Sequence, residues 1–129
     1  MALKIMSIDD SKAVINYIKW AFSTTDIEVV GVLEGQEAID MLTKSDAEQF
    51  AAIFLDWEMP APNGPKVLKT LKESGIETPI IMLTSRNDED SIMTIMEAGA
   101  DDYIMKPFTP ELLFEKLSEI LDIEIVRQA

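Results

Sequence analysis

The stretch FLDWEMP at residues 54–60 begins as an apolar run and stops abruptly on a carboxylate, Asp56. An apolar run of this kind predicts a buried strand, with Asp56 at its C-terminal end. Open α/β sheets bind their ligands in the crevice outside the strand ends, which makes Asp56 a candidate site residue. An equally good explanation is that Asp56 only caps the turn before Met59 and Pro60. The remaining strands decide between these two interpretations.

Short apolar runs alternate with helix-like segments along the whole chain. The runs predict five strands near residues 3–8, 27–33, 50–55, 79–83 and 102–105. Apolar residues at helical spacing predict helices near residues 12–23, 36–44, 67–75 and 87–97, and a last helix from 109 to about 121. This alternation indicates βαβ units, and therefore an α/β fold whose parallel sheet is covered by helices on both faces. We expect a single domain over residues 1–129, with its core at about 3–121.

The composition excludes several kinds of chemistry. The 129 residues include no cysteine and no histidine, so disulfides, Cys/His zinc sites, cysteine nucleophiles and histidine bases are excluded. The formal net charge of -13 argues against nucleic acid and anionic membrane surfaces, and it allows a bound cation or a basic partner. Without a leader segment or an apolar run of roughly 20 residues, the chain is expected to be cytoplasmic and not inserted in a membrane.

Reactive side chains follow four of the five predicted strands, namely Asp9 and Asp10, Asp56, Thr84 and Lys106. Because parallel strands end at one edge of a sheet, we expect these side chains to lie together. Converging carboxylates repel one another unless cations neutralise them, and an all-oxygen set of this kind suits Mg2+. A carboxylate nucleophile, a metal, a hydroxyl and an ammonium are the parts of a phosphoryl-transfer site. Asp56 is the best nucleophile because its strand is predicted to be central.

Five motifs in order and at matching spacing resemble one family, the receiver domains of two-component response regulators, especially the stand-alone chemotaxis type. The motifs are IDDS at 8–11, LDWEMP at 55–60, LTS at 83–85, GADDY at 99–103 and KPF at 106–108. The resemblance implies a flavodoxin-like sheet with strand order 2-1-3-4-5, the order that this chemotaxis class itself exemplifies. It also implies a cis bond between Lys106 and Pro107.

The same resemblance implies roles for the site residues. Asp56 would accept a phosphoryl group from a histidine kinase or a histidine phosphotransfer protein. Mg2+ would be held by Asp10, Asp56 and the backbone carbonyl of Glu58, with Asp9 helping through water. The phosphoryl oxygens would meet Lys106 and Thr84, and Tyr103 would turn from exposed to buried as the switch operates. Glu58 and Arg86 stand at positions that vary in the family, and we hypothesise that they pair across the site and slow phosphoryl loss. Alternatively, both side chains are simply solvated.

The sequence also suggests where the surface contacts a partner. The fourth helix carries Ile92, Ile95 and Met96 on one stripe and Met93 off it. We therefore take Met93, Tyr103 and Phe108 as candidate contacts for a downstream protein partner, since methionine adapts readily to binding surfaces. The tail at 122–129 alternates apolar and acidic residues, which leaves open whether it frays, extends the sheet or meets a partner.

The expected function is therefore a phosphoacceptor switch that signals through protein contacts and releases no product. We expect no output domain after residue 129, so the chain is expected to act by binding another protein, by passing on its phosphoryl group or by competing for a kinase. One rival is an Mg2+-dependent phosphatase that forms an aspartyl phosphate and uses Glu58 as its acid or base. The other rival is a receiver-shaped interaction module that never takes up phosphate.

Overall fold

The computed structural model describes residues 3–127, apart from the side chains at 45, 46 and 48. Strands and helices alternate strictly within this range. They are β1 (Lys4–Ile8), α1 (Lys12–Ala21), β2 (Glu28–Val32), α2 (Gly35–Met41), β3 (Ala52–Asp56), α3 (Gly64–Glu73), β4 (Ile80–Thr84), α4 (Glu89–Glu97), β5 (Asp102–Met105) and α5 (Pro110–Leu121). None of the helices described is long and apolar enough to cross a membrane.

The five strands form one parallel sheet in the order β2-β1-β3-β4-β5. The predicted α/β fold and the implied strand order are both confirmed. The strand β3 lies at the centre, and its register places Asp56 beside Leu83 of β4. In the same way Thr84 lies beside Met105 of β5. The ends of these strands therefore meet at one edge, which we call the carboxyl edge.

The strand β3 is apolar throughout because both of its faces are covered. Its side chains alternate between two cores: Ile53 and Leu55 join the core under α2 and α3, whereas Ala52 and Phe54 join the core under α1 and α5. All four are at most 1% exposed. A central strand of a doubly wound sheet is expected to be continuously apolar, and Asp56 interrupts that pattern at the last residue.

Polar caps fix where four of the helices begin. Ser11 accepts a hydrogen bond from the Val14 amide at the start of α1, and Asp88 accepts one from the Ser91 amide at the start of α4. Asn63 and Thr109 cap α3 and α5 in the same way. Each cap satisfies an amide that the helix itself leaves unpaired. Asp88 is therefore the N-cap of α4, which begins at Glu89.

Two helices differ from their predicted form. The helix α2 ends at Met41 and continues as a wider turn over Leu42–Asp46, so the helix is shorter than expected. Its buried residues are Gly35, Ala38 and Ile39, whereas Met41 is only partly buried. In α4 only Ile95 is buried, and the predicted stripe is wrong at Met96, which is 39% exposed. The helix thus touches the core along a narrower face than the spacing suggested.

The tail folds back on the domain and adds no strand. Asp122 ends α5 in the left-handed conformation, with φ at 53°. Ile125 then packs against the core under α1 and α5. Arg127 donates a hydrogen bond to Glu111 at 2.7 Å and lies 4.5 Å from the centre of the Phe114 ring. Extension of the sheet is thereby ruled out for 123–127, and residues 128 and 129 lie outside the described range.

Candidate functional site

Three carboxylates converge at the carboxyl edge. Asp9 directly follows β1, Asp10 follows it, and Asp56 is the last residue of β3. One oxygen from each of the three residues lies within 4.8 Å of the others. Asp9 and Asp56 are each 1% exposed, whereas Asp10 is exposed. The sheet therefore brings Asp56 to the adjacent pair Asp9 and Asp10, which is distant in sequence, and two of the three carboxylates are buried.

Lys106 brings a positive charge to the same place. It follows β5, and its backbone amide donates to the Thr84 carbonyl at 2.8 Å, which extends the ladder by one residue. Its ammonium lies 2.5 Å from Asp56 Oδ1 and 4.0 Å from Asp9 Oδ2. The Lys106–Pro107 bond is cis, as the resemblance implies. One ammonium thus faces three carboxylates.

The charge balance at this edge is incomplete. Burial raises the pKa of Asp9 to about 6; the Ser11 amide that donates to it lowers the pKa, and the nearby Asp56 raises it further. Burial also raises the pKa of Asp56, although the hydrogen bond from Lys106 opposes the shift. Burial lowers the pKa of Lys106, but the contacts with Asp56 and Asp9 outweigh it and raise that pKa overall. Asp9 Oδ2 accepts no hydrogen bond, although it is buried.

The backbone on the far side of Asp56 is held by a close approach of α3. The Trp57 amide donates to the Leu83 carbonyl at 2.9 Å, and the Gly64 amide donates to the Trp57 carbonyl at 3.0 Å. A Cβ atom at Gly64 would overlap the carbonyl oxygen of Asp56. Glycine is therefore required at the first residue of α3. The sequence interpretation missed Gly64, although its place between Asn63 and Pro65 was a signal for a tight turn.

Thr84 ends β4 at the carboxyl edge, whereas Tyr103 lies within β5, beside Met82. Thr84 is the last residue of β4, is fully buried, and accepts a hydrogen bond from the Arg86 amide at 2.9 Å through its hydroxyl. Tyr103 is half-buried and packs against the core under α2 and α3. The tyrosine is therefore neither fully exposed nor fully enclosed.

The predicted pair between Glu58 and Arg86 is wrong. No ion pair joins them among the residues described; the Arg86 guanidinium lies 4.9 Å from the centre of the Trp57 ring instead. Glu58 accepts a hydrogen bond from the Ser85 hydroxyl at 3.3 Å. Stacking on an exposed ring and an exposed ion pair are each worth about 1 kcal/mol or less, so the nearby Trp57 ring competes with Glu58 for Arg86. The two loops are still linked, but through Trp57 and Ser85.

The predicted contact residues lie on different surfaces. Met93 is 50% exposed on α4. Phe108 is half-buried, and its ring centre lies 5.8 Å from that of Tyr17 on α1. Phe108, Tyr17 and Val14 line an apolar cleft of about 620 Å3 that reaches Lys106. The structure therefore does not bring Met93 and Phe108 into one surface patch.

Comparisons with known proteins agree with this fold. The family model described as "Response regulator receiver domain" matches residues 5–118. The chemotaxis protein CheY homolog of Campylobacter jejuni is 34% identical over 122 residues, which are 92% of each chain. CheY1 of Helicobacter pylori is also 34% identical, over 92% of this chain and 97% of its own. The structure of CheY4 from Vibrio cholerae matches with a TM-score of 0.83 at 28% identity, over 94% of this chain and 100% of its own.

The chain therefore belongs to the response regulator receiver family. It is a signalling domain similar to the CheY proteins of chemotaxis, and its fold and acidic pocket are consistent with a phosphoacceptor switch.

Proposed function

We propose that this protein is an Mg2+-dependent phosphoacceptor switch in which Asp56 takes a phosphoryl group from a histidine kinase or a histidine phosphotransfer protein. One observation carries the proposal: a buried carboxylate at the end of the central strand is contacted by Lys106 and flanked by two further carboxylates. A carboxylate that served only to cap a turn would need neither the half-buried ammonium nor the second buried acid.

The reaction follows from the groups present. A carboxylate oxygen of Asp56 attacks phosphorus, a P–O bond forms, and the P–N bond of the phosphohistidine breaks. The imidazole leaves with the electron pair of that bond, and the product is an acyl phosphate on Asp56. Lys106 pairs with the oxygens of the transferred group, and the Thr84 hydroxyl donates to one of them. Catalysis here consists of positioning and electrostatic stabilisation.

The residues at this edge fit a magnesium ion. The donors are all oxygens, and the buried Asp9 Oδ2 lacks a partner that a cation would supply. Asp9, Asp10, Asp56 and the backbone carbonyl of Glu58 would hold the ion. When bound, Mg2+ neutralises the carboxylates and the oxygens of the incoming phosphoryl group.

The output of the switch is a change of surface. The Thr84 hydroxyl can donate to the phosphoryl group while its oxygen still accepts from the Arg86 amide, so this contact draws the loop after β4 toward the site. Tyr103, now half-buried, moves inward to fill the space, which alters the surface around α4 that Met93 contributes to. We assign residues 1–129 to a single receiver domain that signals by binding another protein.

Incubation with Mg2+ and acetyl phosphate tests the proposal. We expect the mass to rise by a single acid-labile phosphoryl group, and we expect Asp56→Asn to abolish the gain. Asp101→Asn is the matched control, because Asp101 lies at the opposite edge of the sheet and should leave the gain unchanged. Continued turnover of excess acetyl phosphate would instead indicate the phosphatase. Neither uptake nor turnover would indicate an interaction module that is independent of phosphate.

A further inference from the structure

The position of Lys106 depends on a short link between β5 and α5, residues 106–109. At its start the Lys106 amide bonds to β4, and at its end the Thr109 hydroxyl accepts a hydrogen bond from the Leu112 amide in α5. Pro107 has no amide hydrogen to donate. The Phe108 carbonyl accepts a hydrogen bond from the Tyr17 hydroxyl at 3.0 Å. Among the residues that the structure describes, the bond from Tyr17 is the one that joins the middle of the link, Pro107 and Phe108, to another element.

Tyr17 is well placed to hold the link still. It lies on α1, which is anchored in the core by the buried residues Ile15, Ile18 and Ala21. Its ring packs against the ring of Phe108 at 5.8 Å and 53°, so the hydroxyl is directed by packing as well as by the hydrogen bond. The helix it belongs to begins three residues after Asp9. The hydrogen bond from Tyr17 to Phe108, which we call the tether, therefore connects α1 to the segment that carries the Lys106 ammonium. The helix α1 is the element that follows Asp9 and Asp10.

We propose that Tyr17 is a positioning residue for phosphoryl transfer, acting through the Phe108 carbonyl to hold the Lys106 ammonium at Asp56. This role goes beyond the proposed phosphoacceptor function and rests on it. Lysine reaches the site on a flexible four-carbon stem, so its placement depends on how firmly its backbone is held. A misplacement of about 1 Å at a reacting centre can reduce the rate by about a hundredfold.

The variant Tyr17→Phe removes the hydroxyl and keeps the ring contacts with Phe108. We expect phosphorylation by acetyl phosphate at saturating Mg2+ to slow by about threefold to tenfold, the range that corresponds to the loss of one hydrogen bond. Mg2+ affinity, followed by Trp57 fluorescence, should change by less than about twofold, because the carboxylates are not displaced. A rate that falls without a fall in metal affinity is not what general destabilisation produces.

The matched control is Thr78→Val. Thr78 also donates a side-chain hydrogen bond to a distant carbonyl, that of Ala47, at 3.2 Å, but it does so at the other end of the sheet. It should leave the phosphorylation rate unchanged. A wild-type rate in Tyr17→Phe would overturn the proposal, and so would an equal loss of rate in both variants, since that would reflect lost stability alone.

A second readout does not depend on phosphorylation. We expect an amine-reactive acylating reagent to modify Lys106 faster in Tyr17→Phe than in the wild type, because the ammonium spends less time against Asp56. Peptide mass spectrometry measures this, with Lys72 as the internal reference. An unchanged rate at Lys106 would overturn the positioning role. If the wild type takes up no phosphoryl group, the proposed function has failed and this readout alone judges the tether.

Discussion

The two edges of the sheet use the same residue types in opposite ways. The amino edge is the one where the strands begin. There, Asp101 is a partly exposed carboxylate that accepts a hydrogen bond from the Ile80 amide at 2.8 Å and lies 4.0 Å from the Lys72 ammonium. At the carboxyl edge, Asp9 is 1% exposed and one of its two oxygens accepts no hydrogen bond. One acid is paired and solvated, and the other is buried and only half satisfied.

This difference shows that the carboxyl edge is the less favourable of the two for stability. A buried carboxylate without full compensation is unfavourable in its charged form, and the raised pKa of Asp9 expresses that. Such groups persist when another requirement keeps them, and the requirement that we propose here is the binding of a cation and a phosphoryl group. Substitutions at the amino edge should therefore act on stability alone, whereas those at the carboxyl edge should separate stability from activity.

The largest effect is expected from removing the ammonium. Lys106→Met should lower the phosphorylation rate by about a hundredfold or more, since one preorganised charge at a transition state is worth that much. Lys72→Met removes the corresponding amine at the amino edge and should leave the rate unchanged. Parallel time courses with acetyl phosphate and Mg2+ measure both. Equal rates for Lys106→Met and the wild type would contradict the assignment of Lys106.

A smaller effect is expected at Asp9, where a substitution should stabilise the fold. The Asp9 carboxylate is buried, and its Oδ2 accepts no hydrogen bond and meets the Lys106 ammonium only at 4.0 Å. Because burial outweighs this pairing, Asp9→Asn should raise the free energy of unfolding of the metal-free protein by roughly 1 to 2 kcal/mol. It should also weaken Mg2+ binding. Asp101→Asn keeps an acceptor for the Ile80 amide and should change stability by less than about 0.5 kcal/mol. Urea unfolding with and without Mg2+ gives these values, and a destabilised Asp9→Asn would show that the carboxylate is well compensated.

The last effect is the pH dependence of stability. The pKa of Asp9 is about 6 in the fold against an ordinary value of 3.8, so the folded state binds the proton more tightly than the unfolded state does. The metal-free protein should therefore gain stability as the pH falls through about 6 toward 4, and lose that gain as the pH rises again. The raised pKa of Asp56 acts in the same direction.

A comparison of Asp9→Asn with the wild type separates the contribution of Asp9 from the general loss of negative charge at low pH. The stability of the variant should depend less steeply on pH than that of the wild type. Saturating Mg2+ should reverse the slope near pH 6, because protons compete with the metal for the carboxylates. Identical slopes for the variant and the wild type would mean that Asp9 does not titrate as described.

The sheet was predictable from the sequence because its apolar runs are interrupted by turn residues and polar caps at regular intervals. Strand positions followed from these interruptions, and the convergence of Asp9, Asp56, Thr84 and Lys106 followed from parallel geometry alone. The strand order required the family resemblance, because periodicity does not distinguish which strands are neighbours. The roles of the site residues stay predictions.

Contacts between loops and between exposed side chains were beyond the sequence. Arg86 had two neighbouring choices, Glu58 and Trp57, and a difference of a fraction of a kcal/mol between ion pairing and stacking decides which one it takes. The hydrogen bond from Tyr17 to Phe108 joins residues 91 positions apart through a backbone carbonyl, which leaves no pattern in the sequence. The requirement for Gly64 depends on how closely α3 approaches Asp56, and that distance appears only in three dimensions.

The most direct test of the central claim is to locate the phosphoryl group. After incubation with acetyl phosphate and Mg2+, borohydride reduces an aspartyl phosphate to homoserine, and peptide sequencing by mass spectrometry identifies the reduced position. We expect homoserine at position 56 and at no other acidic residue. Homoserine at Asp9 or Asp10, or an unmodified chain under conditions where Mg2+ binds, would contradict it.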